Sequence, residues 1–423
     1  MNPLLPKQYF VPDVEARQWA DGRIYLYGSC DISGDTTYCS EEYHVFSSAD
    51  MRSWVDHGVS FRSEEGHADP KARLYAPDCE YRNGLYYLTY CGSDHSEGIA
   101  TSPHPYGPFT DAYGVTGADG DGIDPAVLVD EDGAVIYFWG QFELRGARLR
   151  DDMSGIDSDT LVKPILTEAE HGFHEGASIR KRNGLYYLVY TDISRGRATS
   201  LAYATSARPL GPYTKGGIII DNTGCDPETW NDHGSIAPFN GQWYVFYHRS
   251  SQASRFSRRV CVEPITFNAD GSIDEVEMTT QGASGPLDAT RRLDAFRACL
   301  LSGQVRTQSV PPSSSSNTWS EHLTLIQNGD WAAYRYLDFS AGVGSFRARA
   351  GSLAYGGTIE VHLDSPDGPL VSTCWVPFTG GWQKWQTVAA PVTQSVSGVH
   401  AVYLVFTGGP HRLFDLDSFW FTR

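Results

Sequence analysis

Three carboxylates stand at matching places in this chain. Asp13 lies in Val11-Pro12-Asp13-Val14, Asp124 in Gly122-Ile123-Asp124-Pro125-Ala126 and Glu175 in Phe173-His174-Glu175-Gly176-Ala177. Each precedes a similar aromatic phrase, by 9, 10 and 9 residues counted to Gly22, Ala134 and Gly184. If the phrases are equivalent elements, the three acids enter one cavity at equivalent points. Such a cluster suits hydrolysis of a glycosidic bond: an ionised carboxylate activates water while a protonated one donates to the leaving oxygen. Crowding like charges raises one pKa, which is how two carboxyls acquire opposite roles at one pH. Two other uses compete, since calcium also collects carboxylates and Asp-Pro also opens turns. The shared offset favours catalysis.

The elements that position these acids are repeats. The phrase reads GRIYLYGS from Gly22, GLYYLTYC from Gly84, AVIYFWGQ from Ala134, GLYYLVYT from Gly184 and GQWYVFYHR from Gly241. Each is a turn followed by an aromatic, β-branched strand, apolar enough to be buried on both faces. Asp21-Gly22, Asn83-Gly84, Asp132-Gly133, Asn183-Gly184 and Asn240-Gly241 supply hairpin turns. A period of roughly 50–60 residues holds about four strands. The sequence therefore predicts an all-β protein: a five-bladed β-propeller over residues 1–287, then a β-sandwich over residues 288–423. A Ser- and Pro-rich patch, Val310 to Ser316, marks the change of composition after the repeats.

Composition agrees. Tyr, Phe and Trp number 24, 19 and 11 among 423 residues, with 43 Gly. The formal charge of −18 repels phosphate backbones and argues against a nucleic-acid partner. A neutral polyhydroxyl ligand suits an acidic, aromatic-rich surface better. No stretch of 18 apolar residues occurs, so no membrane partner is expected. The N-terminal stretch has no charged run followed by an apolar core, which predicts a cytoplasmic protein, although a secreted chain trimmed of its signal would look the same. The 8 scattered cysteines contain no C-x-x-C pair and read as free buried thiols.

Strand alternation adds one further residue. Arg258 shares a face with Val260 and Val262, so it points inward and needs a carboxylate partner, for which an axial acid is the natural choice.

Taken together, the five-fold phrase, Pro12-Asp13, Ile123-Asp124-Pro125-Ala126 and Glu175-Gly176-Ala177 resemble the family 43 glycoside hydrolases over roughly residues 1–285. The resemblance implies an inverting, exo-acting enzyme that releases a pentose, an α-L-arabinofuranosidase or alternatively a β-D-xylosidase. It implies Asp13 as general base, Glu175 as general acid and Asp124 as the residue that tunes the acid. It implies no cofactor for the chemistry, and a calcium ion near His233. The second-blade motif reads Tyr75-Ala76-Pro77-Asp78, with Tyr in place of the family's usual Trp. Tyr75, Asp78, Trp139 and Arg258 are the expected substrate-binding residues. The partner implied is an arabinose- or xylose-containing saccharide. A sugar-binding protein without catalysis is the competing reading from another class.

The C-terminal region, through Asn328-Gly329-Asp330-Trp331, Thr379-Gly380-Gly381-Trp382 and Phe414-Asp415-Leu416-Asp417, resembles a family 6 carbohydrate-binding module. The resemblance implies a jelly-roll sandwich in which Trp331 and Trp382 flank a sugar ring and Asp415, where the family usually has Asn, orients it. The family's structural-calcium motif reads Asp294-Ala295-Phe296 here.

Overall fold

A computed structural model describes residues 1–118, 122–312 and 318–423. Ser313 to Ser316 of the Ser-rich patch lie outside the described residues. Blade I is an antiparallel meander of Glu15–Gln18, Ile24–Tyr27, Glu42–Ser48 and Val55–Arg62. Blade II comprises Asp78–Arg82, Leu85–Cys91, Glu97–Ser102 and Thr110–Gly114. Blade III comprises Ala126–Val129, Val135–Trp139, Glu143–Arg148 and Val162–Thr167, and blade IV Phe173–Arg182, Leu185–Asp192, Ser200–Ser206 and Thr214–Asp221. Blade V has three strands, Ser235–Phe239, Gln242–Ser251 and Ser254–Ile265. The first strands of the blades contact one another in cyclic order, so the sheets stand round a single axis.

The repeated phrases form the second strand of each blade. They are apolar on both faces because each blade is packed between two others. Separate cores fill the gaps between blades I and II, II and III, III and IV, and V and I. The turns ahead of them divide into two kinds. Asn83-Gly84, Asn183-Gly184 and Asn240-Gly241 have positive φ at both residues, the signature of a two-residue type I′ hairpin. In blades I and III only Gly22 and Gly133 are left-handed, and Asp21 and Asp132 instead accept from the backbone N–H two residues on.

Blade V departs from the expected four strands. Its outer edge is covered by the start of the chain: Leu4 N–H donates to the Val260 carbonyl at 3.0 Å. Beside it the Asn2 side chain acts as a piece of backbone. Its Oδ1 accepts from Val262 N–H at 2.9 Å, and its Nδ2 faces the carbonyls of Val262 and Thr279 and the Glu263 carboxylate at 2.9–3.0 Å. The ring is thus shut by residues about 260 positions apart.

The sandwich begins with Leu287–Asp288, which pairs in parallel with Leu337–Asp338. Its two sheets enclose a core that includes Phe346, Phe406, Phe414, Phe419 and Phe421. A second apolar cluster is common to both domains: Tyr187, Tyr203, Ile236 and Tyr247 of blades IV and V pack with Cys299, Ala333, Ala401 and Tyr403 of the sandwich. Arg259 of blade V also pairs with Glu321 of the sandwich at 2.8 Å, both buried. All eight cysteines are free, seven of them buried. Among the described residues no helix is long and apolar enough to cross a membrane.

Asn2→Ala deletes the closing bonds and strands Val262 N–H in a buried site. The expected loss of stability is about 2 kcal/mol. Urea unfolding followed by tryptophan fluorescence measures it, and an unshifted midpoint would contradict this account of ring closure.

Candidate active site

The equal offsets place the three acids at the entrance of three first strands. Asp13 lies two residues before Glu15–Gln18, Asp124 two before Ala126–Val129, and Glu175 in the bulged opening turn of Phe173–Arg182. A left-handed residue stands at or directly after each acid. Asp13 and Asp124 have φ of 56° and 54°, and in blade IV Gly176, just after Glu175, has 70°. Side chains other than Gly adopt this region at a cost, which Asp tolerates better than most. The bend turns each carboxyl from the sheet toward the axis.

There they line a cavity of about 220 Å³ with Tyr38, Cys39, Tyr75, Ala76, Ile123, Gln141, Asn231, His233 and Arg258. Tyr75, Arg258 and His233 are thus brought to the acids, as the sequence suggested. A roomier cavity, of about 630 Å³, lies behind the blade I wall and contains none of the three acids.

The acids sit in different fields. Asp13 is 5% exposed. It accepts from Arg258 Nη1 at 2.8 Å and from Ser29 Oγ at 2.8 Å, with His248 Nδ1 at 3.4 Å. Burial alone would raise its pKa. The Arg258 guanidinium, helped by His248 and His233, overrides that and holds the carboxyl well below the usual range. Arg258 is itself fixed by a two-point pair with Asp31, through Nε and Nη2 at 2.9 Å each, and lies 4.7 Å above the Tyr38 ring. Asp124 has no such cation in contact. Burial first, then the charges of Glu175 and Asp13, push its pKa well up, against a hydrogen bond from Gly176 N–H. Glu175 is half-buried and accepts from Gln141 Nε2 at 2.7 Å. Burial lowers the pKa of His233, whose Nδ1 stands 3.8 Å from both Asp13 and Asp124. Asp13 is therefore held toward the charged form, while burial and its acidic neighbours favour the neutral form of Asp124.

Gln141, Tyr38, Asn231 and Ser29 had no signal in the sequence analysis. Gln141 closes the third aromatic phrase, on a turn that needs glycine before it: Gly140 has φ of 123°, and a Cβ there would lie 2.5 Å from the Glu143 carbonyl. Trp139, the residue expected to bind substrate from that phrase, is fully buried between blades II and III against Tyr137. Its strand is packed on both faces, so neither leads to the cavity. Asp78 is also displaced from its expected role. It is fully buried on the axis and paired with Arg17 at 2.7 Å, while it caps Val127 N–H. It ties blade I to blades II and III.

The sandwich residues part company as well. Trp331 packs against Tyr403, ring centroids 5.4 Å apart, in the seam with the propeller. Alternation put it on the outer face of its sheet, and the propeller covers that face. Trp382 is elsewhere, on a loop, with the Arg412 guanidinium 3.9 Å above its ring. Arg412 in turn donates to both oxygens of Asp415, at 2.6 and 2.7 Å. The carboxylate that stands where the family usually has an amide thus pairs with a cation, and that cation packs on the Trp382 ring. Trp331 and Trp382 flank no common ring.

Comparison with known proteins agrees with this two-part architecture. The family described as glycosyl hydrolases family 43 matches residues 1–273, and carbohydrate binding module (family 6) matches residues 302–423. An arabinoxylan arabinofuranohydrolase from Bacillus subtilis (strain 168) is 32% identical, over 95% of this chain and 89% of that protein. A xylosidase/arabinosidase from Thermoclostridium stercorarium is 29% identical, over 96% of each. The crystal structure of a family 43 arabinoxylan arabinofuranohydrolase from Bacillus subtilis, in complex with cellotetraose, superposes with a TM-score of 0.55 at 30% identity and covers 100% of this chain and 97% of that one.

Two outcomes are expected. A carboxyl whose folded pKa is raised stabilises the fold only below its unfolded pKa, near 3.9, and opposes it as pH rises toward the folded value. Asp124→Asn should therefore raise the melting temperature at pH 8 and leave it unchanged at pH 3.5. Lower stability of the variant at pH 8 would contradict the electrostatic picture. Because Arg412 covers Trp382, Trp382→Ala should leave retention of the full chain on insoluble arabinoxylan unchanged. A marked loss of retention would show that the aromatic face is open in solution.

Proposed function

This chain belongs to the glycosyl hydrolases of family 43, and we propose that it removes single pentose residues from a plant-type saccharide, with α-L-arabinofuranose the preferred sugar. The observation that carries the reading is one small cavity lined by three acids in three different fields. A volume of about 220 Å³ is below the usual range of ligand pockets and suits one terminal sugar ring rather than an internal stretch of chain. The Bacillus subtilis relative is named for arabinofuranose removal from arabinoxylan, which supports the same substrate. The Thermoclostridium relative, named for both activities, keeps β-D-xyloside as the second reading.

In the mechanism we infer, Asp13 is the general base. Arg258 holds it ionised, and it takes a proton from water as the oxygen attacks the anomeric carbon. Glu175 is the general acid and passes a proton to the glycosidic oxygen as that bond breaks. Asp124, whose neutral form is favoured by burial and by the neighbouring acids, lines the same cavity and tunes the acid. Gln141 fixes the acid's orientation through its amide. Attack and departure on opposite faces invert the anomeric centre.

The chemistry needs no cofactor. The residues near His233 do not suit the calcium ion that the family resemblance implied. Calcium takes six to eight oxygens, whereas His233 faces two carboxylates, one already paired with Arg258. Among the described residues no group of three or more His, Cys, Asp or Glu is arranged to hold a metal.

The test is hydrolysis of aryl α-L-arabinofuranoside and aryl β-D-xyloside, with the first-formed anomer followed by NMR. Wild type should release the inverted sugar. Glu175→Ala should cost about 10²–10⁴-fold on an oligosaccharide, and less on an aryl glycoside whose leaving group needs little protonation. Retention of configuration, or activity indifferent to Glu175, would refute the assignment.

A further inference from the structure

We propose that Phe142 and Trp230 form the platform for the leaving saccharide, a polysaccharide main chain of pyranose rings lying across the cavity mouth. The inference rests on the reading of Glu175 as general acid. A general acid must stand within hydrogen-bond reach of the leaving oxygen. The cavity holds one ring, so whatever departs lies outside it, on the Glu175 side. Two large aromatics on the loops that supply lining residues are exposed. Each is next in sequence to a lining residue: Phe142 follows Gln141, and Trp230 precedes Asn231. Both are 49% exposed.

Their placement brackets the acid. Phe142 is on the turn between the second and third strands of blade III, and Trp230 is on the crossover from blade IV to blade V. Blade IV, which carries Glu175, lies between them. The Phe142 ring meets His174, the neighbour of Glu175, edge-on at 5.1 Å. Trp230 is backed by the Arg255 guanidinium, 4.2 Å from its ring centroid. Beside Arg255, Phe256 packs edge-on at 4.7 Å against Tyr38 of the cavity wall.

Both supports are tied down. Gly140 N–H donates to the Ile123 carbonyl at 3.1 Å, next to Asp124, and Phe142 N–H donates to the His174 carbonyl at 2.7 Å. The Trp230 segment is held where Asn231 bridges Ala198 and Asp232 N–H donates to the Ala198 carbonyl at 2.7 Å. Neither aromatic belongs to a blade core. Exposed aromatics on fixed backbone suit the C–H face of a sugar, whose burial recovers the apolar area at little entropic cost. Two platforms on either side of the acid suit a chain that continues both ways from the branch point, so the pentose removed is a side group.

The test compares kcat/KM on arabinoxylan with that on an aryl arabinofuranoside for wild type, Phe142→Ala, Trp230→Ala and the double variant. The double variant should lower the polymer-to-aryl ratio about tenfold, while Phe142→Tyr and Trp230→Phe restore most of it. Melting temperatures near wild type would show that the fold is intact. An unchanged ratio, or equal losses on both substrates, would overturn the platform. Absence of aryl arabinofuranoside hydrolysis by wild type would instead overturn the underlying functional reading.

Discussion

Burying acids together is the constraint on which the rest of this structure depends. Three carboxylates in one small cavity repel one another and forgo water, and each must be made tolerable separately. For Asp13 the remedy is a cation, Arg258, which is itself locked by a second carboxylate, Asp31. For Asp124 no such cation is in contact among the described residues, and burial with its acidic neighbours raises its pKa and so favours the neutral form. Glu175 keeps partial access to solvent and an amide donor. Different remedies for chemically similar groups create the asymmetry that acid–base chemistry needs.

A propeller is well suited to that task because radial repetition brings distant segments to one axis. The cost is an axis crowded with polar groups, and the fold pairs them below the cavity too. Arg17 joins Asp78 and Glu80, and Arg180 joins Glu15, all within the ring of first strands. These pairs lock the angular positions of the blades, so the acids above them inherit a fixed separation. Breaking one would leave a buried charge without its partner, a larger penalty than the pair's net worth.

Much of this was legible in the sequence for identifiable reasons. The acids could be found because a backbone bend at a fixed distance from a recurring strand is a property of the repeat. Arg258 could be found because alternation on a strand fixes its face. Trp139 was expected at the substrate with the family resemblance, but its strand is buried on both sides and carries it into the core between blades II and III. Gln141 was invisible, since an amide after a glycine turn has no period to betray it. Trp331 shows a different limit: the motif that carries it does not tell that another domain packs against it. The Arg412–Asp415 pair, three residues apart, was present in the sequence, yet only the structure shows that it seats the guanidinium on the Trp382 ring.

The seam between the domains also changes what the word module means for this chain. Ala333, Ala401 and Tyr403 of the sandwich are as deeply buried as the blade residues they touch, and they complete the outer core of blades IV and V. A cartridge that can be cut off and spliced to another enzyme would end in a polar surface. This one ends in the middle of a shared interior. The sandwich supplies part of the packing around blades IV and V and shares an interior with the ring of blades. Its side-chain choices at the seam are then answerable to the stability of the hydrolase as much as to any sugar.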